Sequence, residues 1–165
     1  MDFKQVLIFG LFLLVPVFTY QCFEERELKT AAERRLRNHF QQALDPAFKE
    51  VAASCPLELY RKHQPQGKNE RSLSPWRYVN RTRPDYFPSS YAEAECLCSG
   101  CILIENKENG DQGLVLSADY NSSPVTQTRM FLKRELCTGE DGPKYHLKPE
   151  YLEVTVGCTC VRPRL

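Results

Sequence analysis

An excess of either charge is missing from this chain: 22 lysines and arginines face 21 aspartates and glutamates, for a formal net charge of +1. With the signs interspersed there is no strong steering field, which argues against a nucleic-acid partner, since such domains present a basic face. Histidine is scarce as well. The three present, His39, His63 and His146, fall in a polar helical stretch and two polar loops, with no metal-type spacing and no nucleophile elbow near them. Hydrolytic chemistry therefore lacks a recognisable base. Long apolar runs are limited to one, from Val6 to Phe18, preceded by Asp2 and Lys4. Its charge-then-apolar order predicts a secretory signal peptide over residues 1–21, and it is too short to span a bilayer comfortably. Thr19 and Gln21 suit a cut before Cys22, while Val17 and Thr19 allow an earlier one; an uncleaved anchor is the alternative. Since no other run approaches bilayer length, the mature chain is expected in the extracellular space, with no membrane insertion after cleavage. Removal of 1–21 takes one acid and one base, leaving the balance at +1.

Cysteine, by contrast, is plentiful. Three of the eight crowd into Cys96-Leu97-Cys98-Ser99-Gly100-Cys101, and Cys158-Thr159-Cys160 answers them near the C-terminus. In a secreted chain an even count reads first as a disulfide framework. Two strands at this spacing can be laced side by side by two disulfides, each closing a loop of about sixty residues and worth about 4 kcal/mol in the chain-entropy account.

The remaining pattern divides at about residue 55. Over 22–54 the chain is rich in Glu, Arg, Ala and Gln, with Leu28, Ala32, Leu36, Phe40 and Leu44 at every fourth position. That stripe predicts a partly helical N-terminal arm, ended or kinked at Asp45-Pro46 and packing weakly on the rest. Arg34-Arg35-Leu36-Arg37 reads either as a charged helix face or as a processing-protease site. From 55 to 165 the chain reads as strand and turn. Cys55 to Tyr60 alternates as a short strand, Arg61–Arg71 is a loop, and Ser72 to Val79 carries the single tryptophan. Tyr91 to Ile104 holds two extended runs, and Asn109-Gly110 marks a hairpin. Leu114–Leu116 and Val125–Leu136 supply strands, Thr138–Pro149 is a loop, and Tyr151–Val161 is a strand with Leu152, Val154 and Val156 on one face. The fold class is thus all-β, small, antiparallel and disulfide-stapled. Asn80-Arg81-Thr82 and Asn121-Ser122-Ser123 fit the N-glycosylation pattern and are expected on exposed turns.

Chemistry at the cysteines has two further readings. Cys98-Ser99-Gly100-Cys101 matches the redox C-x-x-C, but a strand and turn follow it where that motif needs a helix. Five thiols in two clusters could hold zinc, against which secretion favours oxidation; no metal or other cofactor is expected. Trp76 serves equally as a core anchor or as a contact residue at an edge.

Three blocks in order, Arg71-Ser72-Leu73-Ser74-Pro75-Trp76-Arg77-Tyr78, Glu93-Ala94-Glu95-Cys96-Leu97-Cys98-Ser99-Gly100-Cys101 and Val156-Gly157-Cys158-Thr159-Cys160-Val161, resemble the interleukin-17 family. The likeness covers Cys55 to Val161 and leans to its C-type branch. It implies a cystine-knot-like antiparallel fold, a secreted disulfide-linked homodimer, and pro-inflammatory signalling through interleukin-17-type receptors, here a shared A-type chain with an E-type chain. It implies binding, with no enzymatic activity. By the same resemblance Cys96 pairs with Cys158 and Cys101 with Cys160, Cys55 and Cys137 bridge subunits, and Ser74 and Ser122 stand where the knot's third disulfide would be. Cys22 and Cys98 are left over. Parity allows them to pair with each other, and other connectivities stay open. Trp76, Arg77 and Tyr78 are the expected receptor contacts. The alternative is a secreted cystine-knot antagonist or matrix-associated growth factor.

Overall fold

The structure is a computed structural model that describes residues 21–37, 54–62, 66–106, 112–139 and 142–164. Residues 1–20 of the signal segment, His39, His63, Phe40, Leu44, the Asp45-Pro46 break and the Asn109-Gly110 turn lie outside the described residues. In chain order the elements are β1 (Phe23–Glu24), α1 (Glu25–Leu36), α2 (Leu57–Lys62), β2 (Trp76–Thr82), β3 (Tyr86–Phe87), β4 (Ser90–Cys96), β5 (Gly100–Asn106), β6 (Gln112–Leu136) and β7 (Lys144–Val161).

The 25-residue β6 organises the molecule. Its first half pairs antiparallel with β5, and from Asn121 onward it pairs antiparallel with β7. β1 adds to β7, and β3 adds to the outer edge of β6 at Tyr86↔Lys133 and Phe87↔Leu132. A separate ribbon of β2 and β4 runs from Trp76↔Cys96 to Thr82↔Ser90. The handover from β5 to β7 takes place at a bulge between Gly100 and Cys101. Only glycine fits at position 100, because a Cβ there would collide with the Ser117 carbonyl oxygen.

Alternation on β6 gives the sheet two buried faces. Leu132, with Leu147 of β7, packs under Leu28, Ala32 and Leu36 of α1. Phe131, one residue away and so on the opposite face, packs with Tyr91 of β4 and Val154 of β7. Tyr91 meets the Phe131 ring edge-on at 5.1 Å between centroids. Helix α1 forms where the fourfold apolar stripe predicts, with Glu25 and Glu27 in its first turn and Arg34 and Arg35 in its last, both signs complementing the helix dipole.

Four local expectations are corrected. The arm does not pack weakly: the three stripe residues of α1 are 1–3% exposed, Arg35 Nη1 donates to the Leu147 carbonyl at 3.0 Å, and Arg134 pairs with Glu25 at 2.7 Å. Cys55 to Tyr60 is not a strand; Pro56 stands at the entrance of α2, where its missing N–H costs nothing, and its carbonyl accepts the Tyr60 N–H. Asn121-Ser122-Ser123-Pro124 is not a turn but the middle of β6, with Pro124 opposite Cys158. The last strand begins at Lys144 rather than Tyr151, and Pro149 is accommodated in it opposite Leu132.

Candidate functional site

Two disulfides join the β4–β5 corner to β7: Cys96 to Cys158 and Cys101 to Cys160, with Cα separations of 5.8 and 6.1 Å. Cys158 and Cys160 share one face of β7, since strand side chains alternate, and so both reach the same corner. With segments 96–101 and 158–160 they close a small covalent ring. Beside it, Ser74, wholly buried, shares a hydroxyl hydrogen bond with Ser122, which stands opposite Cys160. Backbone bonds hold the Ser74 segment and Ser122 against the ring: Leu97 N–H donates to the Pro75 carbonyl, Ile102 N–H to Leu73 and Ser122 N–H to Ser99. The arrangement is the cystine-knot-like core, with a serine pair alongside two disulfides.

The other four cysteines depart from expectation. Cys55 and Cys137, the expected bridges between subunits, are each closed within the chain, Cys55 to Cys98 and Cys137 to Cys22. Cys22 and Cys98 therefore do not pair with each other. The reason lies in the fold. β1 pairs with the start of β7, where Tyr145 faces Leu136, so Cys22 arrives beside Cys137, 6.4 Å away between Cα atoms. α2 likewise delivers Cys55 to the β4–β5 corner, 4.6 Å from Cys98. All eight cysteines are thus oxidised, which removes the thiolates that the redox and zinc readings need.

The Trp76-Arg77-Tyr78 block opens β2, and all three side chains are half-buried and committed. The Trp76 ring lies over Gly157 of β7, where an added Cβ would come within 3.3 Å of it. Its indole meets Tyr78 edge-on, and Tyr78 Oη donates to the Val156 carbonyl at 3.2 Å. Trp76 is thus half-buried, packed on one side and outside both buried clusters. Arg77 turns to the other face of the ribbon, where its Nε and Nη2 both donate to Glu95. Arg81 continues that face, donating to Glu93 and Glu95 at 2.8 Å each. Asn80 and Asn121 are exposed, as sequon residues must be, yet both sit in strands. The Ser90 hydroxyl donates to Asn80 Oδ1.

Two features escaped the sequence. The Arg77, Arg81, Glu93 and Glu95 ladder is one, because only the register sets Arg77 opposite Glu95 and Arg81 diagonal to Glu93. His146, expected in a loop, is on β7 with Nδ1 3.9 Å from Cys137 Sγ and Nε2 3.4 Å from Glu135. No motif signals that cluster.

Among the described residues no group of His, Cys, Asp and Glu could hold a metal ion, and no helix is long and apolar enough to cross a membrane. The interleukin-17 family profile matches residues 72–162, which take in the β2 block, the disulfide ring and the serine pair. The chain is 36% identical to interleukin-17C of Mus musculus over 119 residues, covering 69% of this chain and 58% of that protein. It is 35% identical to interleukin-17C of Homo sapiens over 120 residues, covering 69% and 57%, and 33% identical to interleukin-17F of Rattus norvegicus over 122 residues, covering 72% and 68%. It thus spans less than two-thirds of the length of the interleukin-17C relatives. The profile runs over more than half of the chain and over the ring that carries its core, and on that ground the chain belongs to the interleukin-17 family.

Proposed function

We propose that the protein is a secreted pro-inflammatory cytokine that acts by binding interleukin-17-type cell-surface receptors, with an A-type and an E-type chain as its partners. The observation that carries this reading is the coincidence of the family match with the disulfide ring and serine pair.

The active species is a homodimer. Because Cys55 and Cys137 are closed within the chain, no cysteine is free to link subunits, and the dimer proposed is a non-covalent one. Ile104 and Leu116, diagonal neighbours on one face of the β5–β6 hairpin, are 64% and 43% exposed and supply apolar area for it. Receptor contact is assigned to the β2 ribbon, through the half-exposed flanks of Trp76 and Tyr78 and through Arg77. Arg and large aromatic residues dominate binding hot spots. Asn80 and Asn121 carry glycans in this account. The test is a signalling assay: purified protein is expected to induce inflammatory transcription in cells bearing both receptor chains. Competitive loss of a known agonist's response, with none of its own, would instead establish the antagonist.

A further inference from the structure

Of the four disulfides, three have one sulfur residue that is nearly or wholly buried: Cys98, Cys158 and Cys101. Cys22–Cys137 is the exception, half-exposed at both ends. It also has different surroundings on its two sides. Cys22 lines an open cleft of about 570 Å³ along α1, together with Arg26, Glu27, Thr30 and Arg34. Cys137 has His146 beside it, Nδ1 3.9 Å from Sγ, and the far nitrogen of that ring is 3.4 Å from Glu135, which Lys133 and Lys148 also approach.

Disulfide exchange is fastest when the sulfur that leaves does so as a stabilised thiolate and the sulfur attacked is accessible. The two ends of this bond divide those roles. We propose that Cys22–Cys137 is a thiol-accepting site, at which a low-molecular-weight anionic thiol in the Arg26–Arg34 cleft attacks Cys22 and displaces Cys137 toward His146. The incoming thiolate forms a new bond to Cys22 Sγ as the Cys22–Cys137 bond breaks. The electron pair leaves on Cys137 Sγ, which takes up the proton the incoming thiol released, and the His146 ring stands beside that sulfur with its other nitrogen against Glu135. The incoming thiol is thereby oxidised into a mixed disulfide on Cys22, and Cys137 is reduced to a thiol. A second thiol attacking the adduct releases Cys22 as a thiol and leaves as the oxidised disulfide of the reagent. Arg34, and Arg26 once an incoming acid displaces its Glu24 partner at 2.7 Å, suit the carboxylates of a small acidic thiol peptide. Once the bond opens, β1 loses its covalent tie to the end of β6, while α1 keeps its apolar seat on Leu132 and Leu147.

The experiment exposes the secreted, fully oxidised protein to reduced glutathione for short times, traps thiols by alkylation and maps peptides by mass spectrometry. The expected first product carries glutathione on Cys22 and the alkyl group on Cys137. His146→Gln should slow its appearance about tenfold, because a less stabilised leaving thiolate departs more slowly, with the other three disulfides unaffected. Glu135→Gln should slow it in the same direction and serves if the histidine variant is not secreted. Arg26→Ala with Arg34→Ala should slow glutathione more than it slows neutral β-mercaptoethanol. Opening of another disulfide first, an adduct on Cys137, wild-type rates in both the His146 and Glu135 variants, or equal slowing of the two reagents by the arginine changes would overturn the proposal.

Discussion

The hydroxyls of Ser74 and Ser122, distant in sequence, share one hydrogen bond beside the disulfide ring, and Ser74 has no exposed surface. A buried hydroxyl that loses its partner costs more than the bond was worth net, because the remaining group is left desolvated. Ser74→Ala or Ser122→Ala should therefore each lower stability by about 1–2 kcal/mol, and the double change by less than the sum. Denaturant unfolding of the oxidised protein, with the two singles and the double compared, measures this. Additive losses would show that the hydroxyls act independently.

The α1 seat makes a second prediction. Leu28 is 1% exposed and lies over Leu132 and Leu147. Leu28→Ala should cost about 2–5 kcal/mol, the range for deleting a buried leucine side chain. The same change on the outer side of the helix, at Lys29, should cost nothing measurable. Limited proteolysis separates the two, and it also tests the processing reading of Arg34-Arg35-Leu36-Arg37. Leu36 is buried and Arg35 is bonded to Leu147, so cleavage there should need α1 to come off the sheet and should accelerate in Leu28→Ala.

Much of this was legible in the residues. The spacing of Leu28, Ala32 and Leu36 foretold α1, and the crowding of Cys96, Cys98 and Cys101 foretold a laced corner. Alternation of Leu152 and Val154 foretold the inner face of β7. The failures have a common cause, since local signals describe a segment alone and partners decide it. Asn121 to Pro124 has turn composition, but β7 pairs along it and draws it into β6. The pairing of Cys55 and Cys137 depended on which element each cysteine rides, α2 in one case and the end of β6 in the other. Trp76 was ambiguous because its packing partner, Gly157, is far along the chain and has no side chain to announce the contact.

Trp76 and Arg81 separate scaffold from surface. Removing the indole from Gly157 empties a half-buried site, so Trp76→Ala should cost about 2 kcal/mol of stability, below the range for a fully buried tryptophan. Arg81→Glu touches only an exposed pair ladder and should leave the melting temperature little changed. Both should weaken receptor binding if the β2 ribbon is the contact. Loss of binding in Trp76→Ala with none in Arg81→Glu or Arg77→Glu would move the contact elsewhere and leave the tryptophan as scaffold.

Tyr60 on α2 supplies a pH prediction. Its hydroxyl is buried without a hydrogen-bond partner among the described residues, and burial, then the nearby Glu70 charge, push its pKa from 10.0 up to about 12. The folded state then holds the proton at pH values where the unfolded chain has released it. Stability should fall as pH rises from about 10 to about 12, with no contribution below that window. Tyr60→Phe should remove this fall and be neutral or mildly stabilising at pH 7, since the lost hydroxyl had nothing to bond. Melting temperatures at pH 7, 9 and 11 for both proteins decide it; an unchanged alkaline slope in Tyr60→Phe would assign the fall to another group.

The central claim is receptor binding by an intact disulfide-stapled scaffold, and direct binding to immobilised receptor ectodomains tests it most closely. Secreted protein whose Cys96–Cys158 and Cys101–Cys160 peptides have been verified is passed over A-type and E-type interleukin-17 receptor ectodomains, separately and together. Saturable binding is predicted, tighter to the pair than to either chain alone and weakened by Arg77→Glu. Absence of binding to both, by protein with its disulfides intact, would contradict it.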